Sequence, residues 1–377
     1  MPDQDLIHNI RDFAAREIAP EAARIDRERA FPDGWWRKLG EFGLTGLAVP
    51  SASGGLQADS GTMLAALEAV GAADGSTAWA LLAHTAVAAA IAALGTDAQK
   101  QRYLPALARA ELLGGTLAGT ETGGGSNPGS IKTFARVEGG DYVLDGSKFF
   151  MTQAGAGDVF LVLARTDRTP GPQSLSCFIV EQDDAGLTFG EREATMGLHG
   201  VQLREMFFDG CRIPASRLLG QTGGAMAVLG AASAVLVLGS SAAALGMAQA
   251  AFDATVSHLR SRTVLGTPLA ENPAIQARMA RILQELTGAR AWLEHAQGQL
   301  VRGIKGPPVP LWLAKAAITE AAERVVSQCL GQHGAVGYSQ ALPLERMHRD
   351  VRAFAIHWGN SDVFMDMAGK ALLASPA

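Results

Sequence analysis

From Ala225 to Phe252 the chain carries no charged residue. A helix of that length can cross a bilayer, so the segment has to be buried in something. It is rich in Gly, Ala and Ser, and it lacks the flanking aromatic and basic residues that anchor a membrane span. A helix apolar on every side, packed inside a helical bundle, satisfies the same composition. We therefore expect a bundle core and no membrane span.

The rest of the composition agrees. At 377 residues the chain is too long for one simple core and suits two or three packed regions. Aromatic residues make up only 6% while Ala and Gly abound, which fits closely packed helices. A net charge of -5 with 18% charged residues leaves no basic footprint for nucleic acid. Cys177, Cys211 and Cys329 are too scattered for a disulfide framework or a metal site. The first residues, Met1 to Phe13, are polar and amphipathic without the apolar core of a signal peptide, so a cytoplasmic protein is expected.

Ile7, Ile10, Ala14 and Ile18 recur at helical spacing, as do Trp35, Leu39 and Phe42. Ser60 to Gly75 and Ser76 to Leu94 read as two helices, and Thr96 is a hydroxyl cap for another. Near Leu113 the character changes. Short β-like runs follow, such as Thr133 to Val137, Tyr142 to Leu144, Val159 to Ala164, Leu175 to Val180 and Glu205 to Phe208. They are not interleaved with helices, which disfavours a doubly wound parallel sheet. After Gly223 and Gly224 helices return. The expected plan is mainly α with a central antiparallel β domain: residues 1–112 helical, 113–220 β, 221–377 helical.

Several motifs give this plan a chemical meaning. The segment Ala118-Gly119-Thr120-Glu121-Thr122-Gly123-Gly124-Gly125-Ser126-Asn127 is a glycine-rich turn whose backbone amides can face a cofactor. It matches neither a dinucleotide-binding fingerprint nor a P-loop. Then come Tyr142 to Thr152, Met196 to Arg204, Arg262 to Gly266, and His333 to Tyr338. Near the end, Pro343 to Arg352 is followed by Ile356-His357-Trp358-Gly359-Asn360-Ser361-Asp362. In that order these blocks resemble motifs of the acyl-CoA dehydrogenase family.

The resemblance implies helical N- and C-terminal domains around a β-barrel-like middle domain, bound FAD, and a homodimer or homotetramer with FAD at subunit interfaces. It places Thr120 and Ser126 in the cofactor loop, Phe150 on the isoalloxazine ring and Thr152 at flavin N5. Arg262 and Gly334 would reach the cofactor of a neighbouring subunit, and Asn360 and Asp362 would lie near the cofactor. It also implies an acyl-thioester substrate, on CoA or a carrier protein, and an electron-transfer flavoprotein as partner.

One position departs from the pattern. Where many members place the Glu that removes the substrate α-proton, this chain has Trp358. An indole nitrogen is a donor only and cannot take that proton. The family's other base position corresponds to about Leu236, in a stretch without carboxylates. Glu121, His357 and His84 are the remaining candidates for proton chemistry. The expected activity is flavin-dependent oxidation of an acyl thioester or a related specialised-metabolism substrate with a non-standard base. Two alternatives stand beside it. One is a monooxygenase of the same fold, using reduced FAD or FMN from a flavin reductase together with oxygen, because a His there also follows the Arg-Asp-x-Arg element. The other is a catalytically silent flavin- or acyl-binding homologue.

Overall fold

The computed structural model describes residues 3–125, 127–169, 171–304 and 307–374. The N-terminal region contains α1 (Gln4–Phe13), α2 (Ala22–Glu28), α3 (Trp35–Glu41), α4 (Ser60–Ala73), α5 (Gly75–Leu94) and α6 (Asp97–Ala108). Side-chain caps set several of the starts: Asp74 accepts from the Thr77 amide at α5, and Thr96 and Gln99 form a capping box at α6. Helix α5 is buried on nearly every side, with Trp79, Leu81, Leu82, Val87 and Ile91 in the core.

The middle region is one sheet. Its strands are β1 (Gly114–Ala118), β2 (Phe134–Glu138), β3 (Asp141–Thr152), β4 (Val159–Arg165), β5 (Leu175–Glu181), β6 (Leu187–Arg192), β7 (Leu203–Ile213) and β8 (Leu218–Leu219). They run in the order β6-β7-β3-β2-β4-β5-β8, with β1 beside β4. The sheet is mostly antiparallel, as expected, with two parallel contacts. β1 lies parallel to β4, and β2 meets β4 in parallel at Phe134 and Arg165. The β2–β3 hairpin intervenes between β1 and β4, so the chain returns to β1 in the same direction. Strand β4 is covered on both faces. Val159, Leu161 and Leu163 join the core shared with the helices, while Phe160, Val162 and Ala164 join a second core within the sheet. That double burial explains its unbroken apolar run.

The uncharged segment lies in one helical run: α7 (Ala225–Ser233), a π-helical turn at Ala234–Gly239, and α8 (Ser240–Ser261). Its small residues have a steric cause. A Cβ on Gly246 would sit 2.0 Å from the Glu68 carbonyl oxygen, and one on Gly71 would sit 2.3 Å from that of Ala243. Helices α4 and α8 thus pack backbone against backbone. By length and composition α5 and the 225–261 run could each cross a membrane, but both are mostly buried inside the fold.

A short antiparallel hairpin, β9 (Thr263–Val264) and β10 (Thr267–Pro268), leads to α9 (Pro273–Arg302) and α10 (Val309–Gln332). The chain closes with α11 (Gly334–Gly337), α12 (Leu344–Ile356) and α13 (Ser361–Ala374).

Candidate active site

The end of β3 meets the end of α12 across α5. Register slips between Lys148 and Met151 where β3 pairs with β7. There Phe150 adopts a φ of 57°, and its ring is 39% exposed. Two residues on, Thr152 is buried, and its Oγ1 accepts a hydrogen bond from Trp79 Nε1 at 3.1 Å.

The same indole receives the end of α12. Trp79 packs edge-on against Phe354 and His357, each at 5.1 Å, and lies 6.1 Å from Trp358. Latches hold α12 in this pose. Arg349 donates to both oxygens of Asp26 at 2.9 and 2.6 Å, and Asp350 accepts from the Leu198 amide at 2.6 Å. The Arg-Asp element of the sequence thus ties α12 to α2 and to the β6–β7 connection.

Trp358 sits in a left-handed turn with φ 60°, and its indole nitrogen is buried without a hydrogen-bond partner among the described residues. Lys315, from α10, braces the turn by donating to the carbonyl oxygens of His357 at 2.9 Å and Gly359 at 3.0 Å. Lys315 is buried, and burial pulls its ammonium down to about 7.

The two candidate histidines differ in how their nitrogens are used. His84 Nδ1 accepts from the Gly114 amide at 2.9 Å, so it carries no proton there. Its Nε2 therefore donates to the Thr45 carbonyl at 3.1 Å. Both nitrogens are spent on joining α5, β1 and the Leu44 turn, and burial lowers the group to about 4. His357 Nδ1 faces the Ala353 carbonyl at 3.1 Å. A carbonyl only accepts, so Nδ1 carries the proton and Nε2 keeps its lone pair. No partner for that Nε2 exists among the described residues. Burial, with the Lys315 charge nearby, lowers the His357 pKa, so the ring is neutral near pH 7.

Glu121 is tied down mainly through Oε1. It accepts from Lys148 Nζ at 2.7 Å, from the Lys132 amide, and from the amide and hydroxyl of Thr133. Burial opposes its charge, but Lys148 and Thr133 hold the carboxyl below its ordinary value. Thr120 accepts from the Phe149 amide through its carbonyl. Ser126 lies outside the described residues.

The other sequence candidates fall elsewhere. Asn360 Oδ1 accepts from the Val363 amide at 2.9 Å and caps α13. Asp362 is exposed in the first turn of α13, where the helix dipole favours it. Arg262 follows α8 and Gly334 follows α10, and the two helix ends meet where His258 and His333 stack at 4.3 Å. Arg262 is exposed and has no ion pair among the described residues. Leu265 and Tyr338 are also exposed at this end. Leu236, in the π-helical turn, is buried and apolar.

Sequence reasoning passed over Trp79 and Lys315. The available signals were faint: one indole on an Ala- and Leu-rich helix, and one ammonium within the apolar run of α10.

Comparison with known proteins places this geometry in a family. Residues 2–111, 116–211 and 237–373 match the N-terminal, middle and C-terminal domains of acyl-CoA dehydrogenase. An acyl-CoA dehydrogenase of Bacillus subtilis (strain 168) is 33% identical over 366 residues, covering 97% of this chain and 96% of that protein. A cyclohex-1-ene-1-carbonyl-CoA dehydrogenase of Syntrophus aciditrophicus (strain SB) is 33% identical over 368 residues, covering 98% of this chain and 89% of that protein. Butyryl-CoA dehydrogenase from Megasphaera elsdenii superposes with a TM-score of 0.92 at 29% identity, covering 98% of this chain and 97% of that one. With all three domains matched in order, the chain belongs to the acyl-CoA dehydrogenase family.

Proposed function

We propose that the protein is an FAD-dependent oxidoreductase that oxidises an acyl thioester or a related substrate, with His357 rather than a carboxylate as the proton acceptor. The observation that carries this reading is the free Nε2 of His357, beside Trp358 and across Trp79 from Thr152.

The residues present fit FAD. Thr152 has a hydroxyl proton that no described residue accepts, Phe150 shows an open ring face, and Arg262 is an unpaired cation among the described residues. Thr152 would bond the flavin near N5, Phe150 would pack on the ring system, and Thr120 would lie in the cofactor loop. Arg262 and Gly334 would serve the diphosphate of a second copy, with guanidinium geometry suited to phosphate oxygens. The exposed Leu265 and Tyr338 at the same end support a homodimer or homotetramer. Asn360 and Asp362 would shape the α13 end of the site. When bound, FAD supplies the hydride acceptor.

This chain's own residues supply the rest. The α-proton of a thioester is weakly acidic, so its acceptor has to be well placed. Trp358 cannot accept it, both nitrogens of His84 are used, and Glu121 is a weak base because Lys148 and Thr133 hold its carboxyl below the ordinary value. His357 is neutral, its Nδ1–H is anchored on Ala353, and its Nε2 is open. Trp358 puts a buried indole where a carboxylate would stand. An electron-transfer flavoprotein fits as the electron acceptor.

The test is to load the protein with FAD and mix it anaerobically with acyl thioesters on CoA and on a carrier protein. Flavin bleaching by one of them, lost by a factor of about 100 or more in His357→Gln, is the expected result. The rate should rise with pH through a pKa below the ordinary histidine value, because the neutral ring is the active form. Trp358→Glu should give at most weak oxidation of simple acyl-CoAs. Robust oxidation of simple acyl-CoAs by His357→Gln would place the base elsewhere. Product formation that needs reduced flavin and oxygen would identify a monooxygenase. Failure to bind FAD at all would identify a silent homologue.

A further inference from the structure

Trp79 sits where α5, β3 and α12 converge, and its direction of hydrogen bonding is unambiguous. An indole N–H can only donate, so at 3.1 Å the Thr152 oxygen is the acceptor. A threonine hydroxyl has one proton and rotates to suit its surroundings. With Trp79 on its lone pair, that proton has to point elsewhere, and no described residue receives it. Trp79 itself cannot turn away. It is 1% exposed and wedged by Phe354 and His357, each at 5.1 Å.

We infer that Trp79 is a positioning residue that, by occupying one lone pair of Thr152, turns its hydroxyl proton toward the flavin. The inference rests on the reading that Thr152 faces the flavin. A hydroxyl that already accepts a hydrogen bond is also a stronger donor, because chains of such bonds polarise one another. The same ring touches His357, so one side chain sets the hydroxyl that faces the hydride acceptor and packs against the imidazole that takes the proton. The sequence offers no carboxylate at Trp358 to organise the site, and Trp79 fills that organising role from the opposite helix.

The experiment uses the FAD-loaded protein and reads flavin absorbance, reduction potential and FAD affinity, none of which needs a known substrate. Thr152→Val should shift the flavin band and weaken FAD binding roughly fivefold, the worth of one neutral hydrogen bond. Thr152→Ser should restore both. Trp79→Phe should shift the band and potential in the same direction but by less, since the hydroxyl remains and only its orientation is freed. In the Thr152→Val background Trp79→Phe should add nothing. Benzothienylalanine at position 79 keeps the ring volume and removes only the N–H. It should reproduce the Trp79→Phe shift, and it covers the case in which that variant folds poorly. If Thr152→Val shifts the flavin but benzothienylalanine does not, the inference about Trp79 fails and the flavin reading stands. If Thr152→Val leaves the bound flavin unchanged, the flavin reading fails and takes the inference with it.

Discussion

Lys148 and Lys315 are both almost fully buried, and the fold treats them in opposite ways. Lys148 meets a carboxylate, Glu121, at 2.7 Å, with side-chain exposures of 0% and 10%. Lys315 meets the carbonyl oxygens of His357 and Gly359 and lies 6.0 Å from the Phe364 ring, with no carboxylate partner among the described residues. Both ammonium groups are pulled down by burial, Lys148 to about 8 and Lys315 to about 7. The first arrangement closes a circuit: the ion pair, Thr133 and the Lys132 amide satisfy one another, and the loop after β1 is pinned to β3. The second leaves the cation's cost largely standing and uses it to hold the strained turn that carries Trp358. The difference separates a residue that stabilises the fold from one that shapes the site at the fold's expense.

The largest effect should come from breaking the first arrangement. Lys148→Met strands Glu121 in a mostly buried position and should cost about 3–5 kcal/mol in urea unfolding. Adding Glu121→Gln, which keeps an acceptor for Thr133, should recover much of the loss. An unchanged midpoint in the single variant would show that the pair is idle.

His84 offers a third way to bury a basic group, as a neutral ring with both nitrogens paired. Its folded value, about 4, lies below the unfolded value of 6.5. Between those values the unfolded chain binds more protons, so stability falls as pH drops from about 6.5 toward 4. The full loss is roughly 3 kcal/mol. His84→Gln should flatten that slope relative to the parent, and a slope that persists would assign it to another group.

The smallest effect sharpens the contrast most. Lys315→Met removes a donor from two carbonyls, worth about 1–3 kcal/mol. It also removes the cost of discharging a buried ammonium, roughly 4 kcal/mol at pH 7. The second effect is larger, so the variant should gain about 2 kcal/mol at pH 7. The parent's folded pKa lies below the unfolded one, so its stability rises with pH from about 7 to 10.5 and the gap should close. Amide exchange at residues 357–359 should speed up in the same variant. A clear destabilisation at pH 7 would mean that Lys315 is as well satisfied as Lys148.

Parts of this molecule are legible in the sequence because they depend on neighbours along the chain. The Thr96 capping box, the apolar helices and the double-faced β4 run all follow from local pattern. The family motifs are also contiguous strings. The pattern fails where partners are distant. β1 is a short Gly-rich segment that becomes a strand only beside β4, and no spacing rule announces a parallel pairing across a hairpin. Tyr142 to Leu144 marks only part of β3, because the rest is stabilised by β7 some sixty residues on.

The candidate site divides the same way. The family resemblance implies that Trp358 stands where a carboxylate is usual, and the sequence offers three residues able to handle a proton. It cannot rank them, because rank depends on which lone pairs are already used. Tertiary structure spends both nitrogens of His84 on Thr45 and Gly114, and spends Glu121 on Lys148 and Thr133. It leaves one nitrogen of His357 open. It also brings Trp79 onto Thr152, a contact between a helix and a strand 73 positions apart. Residue type determined which chemistries were available to this chain, and the hydrogen bonds made on folding decided which of them remain unspent.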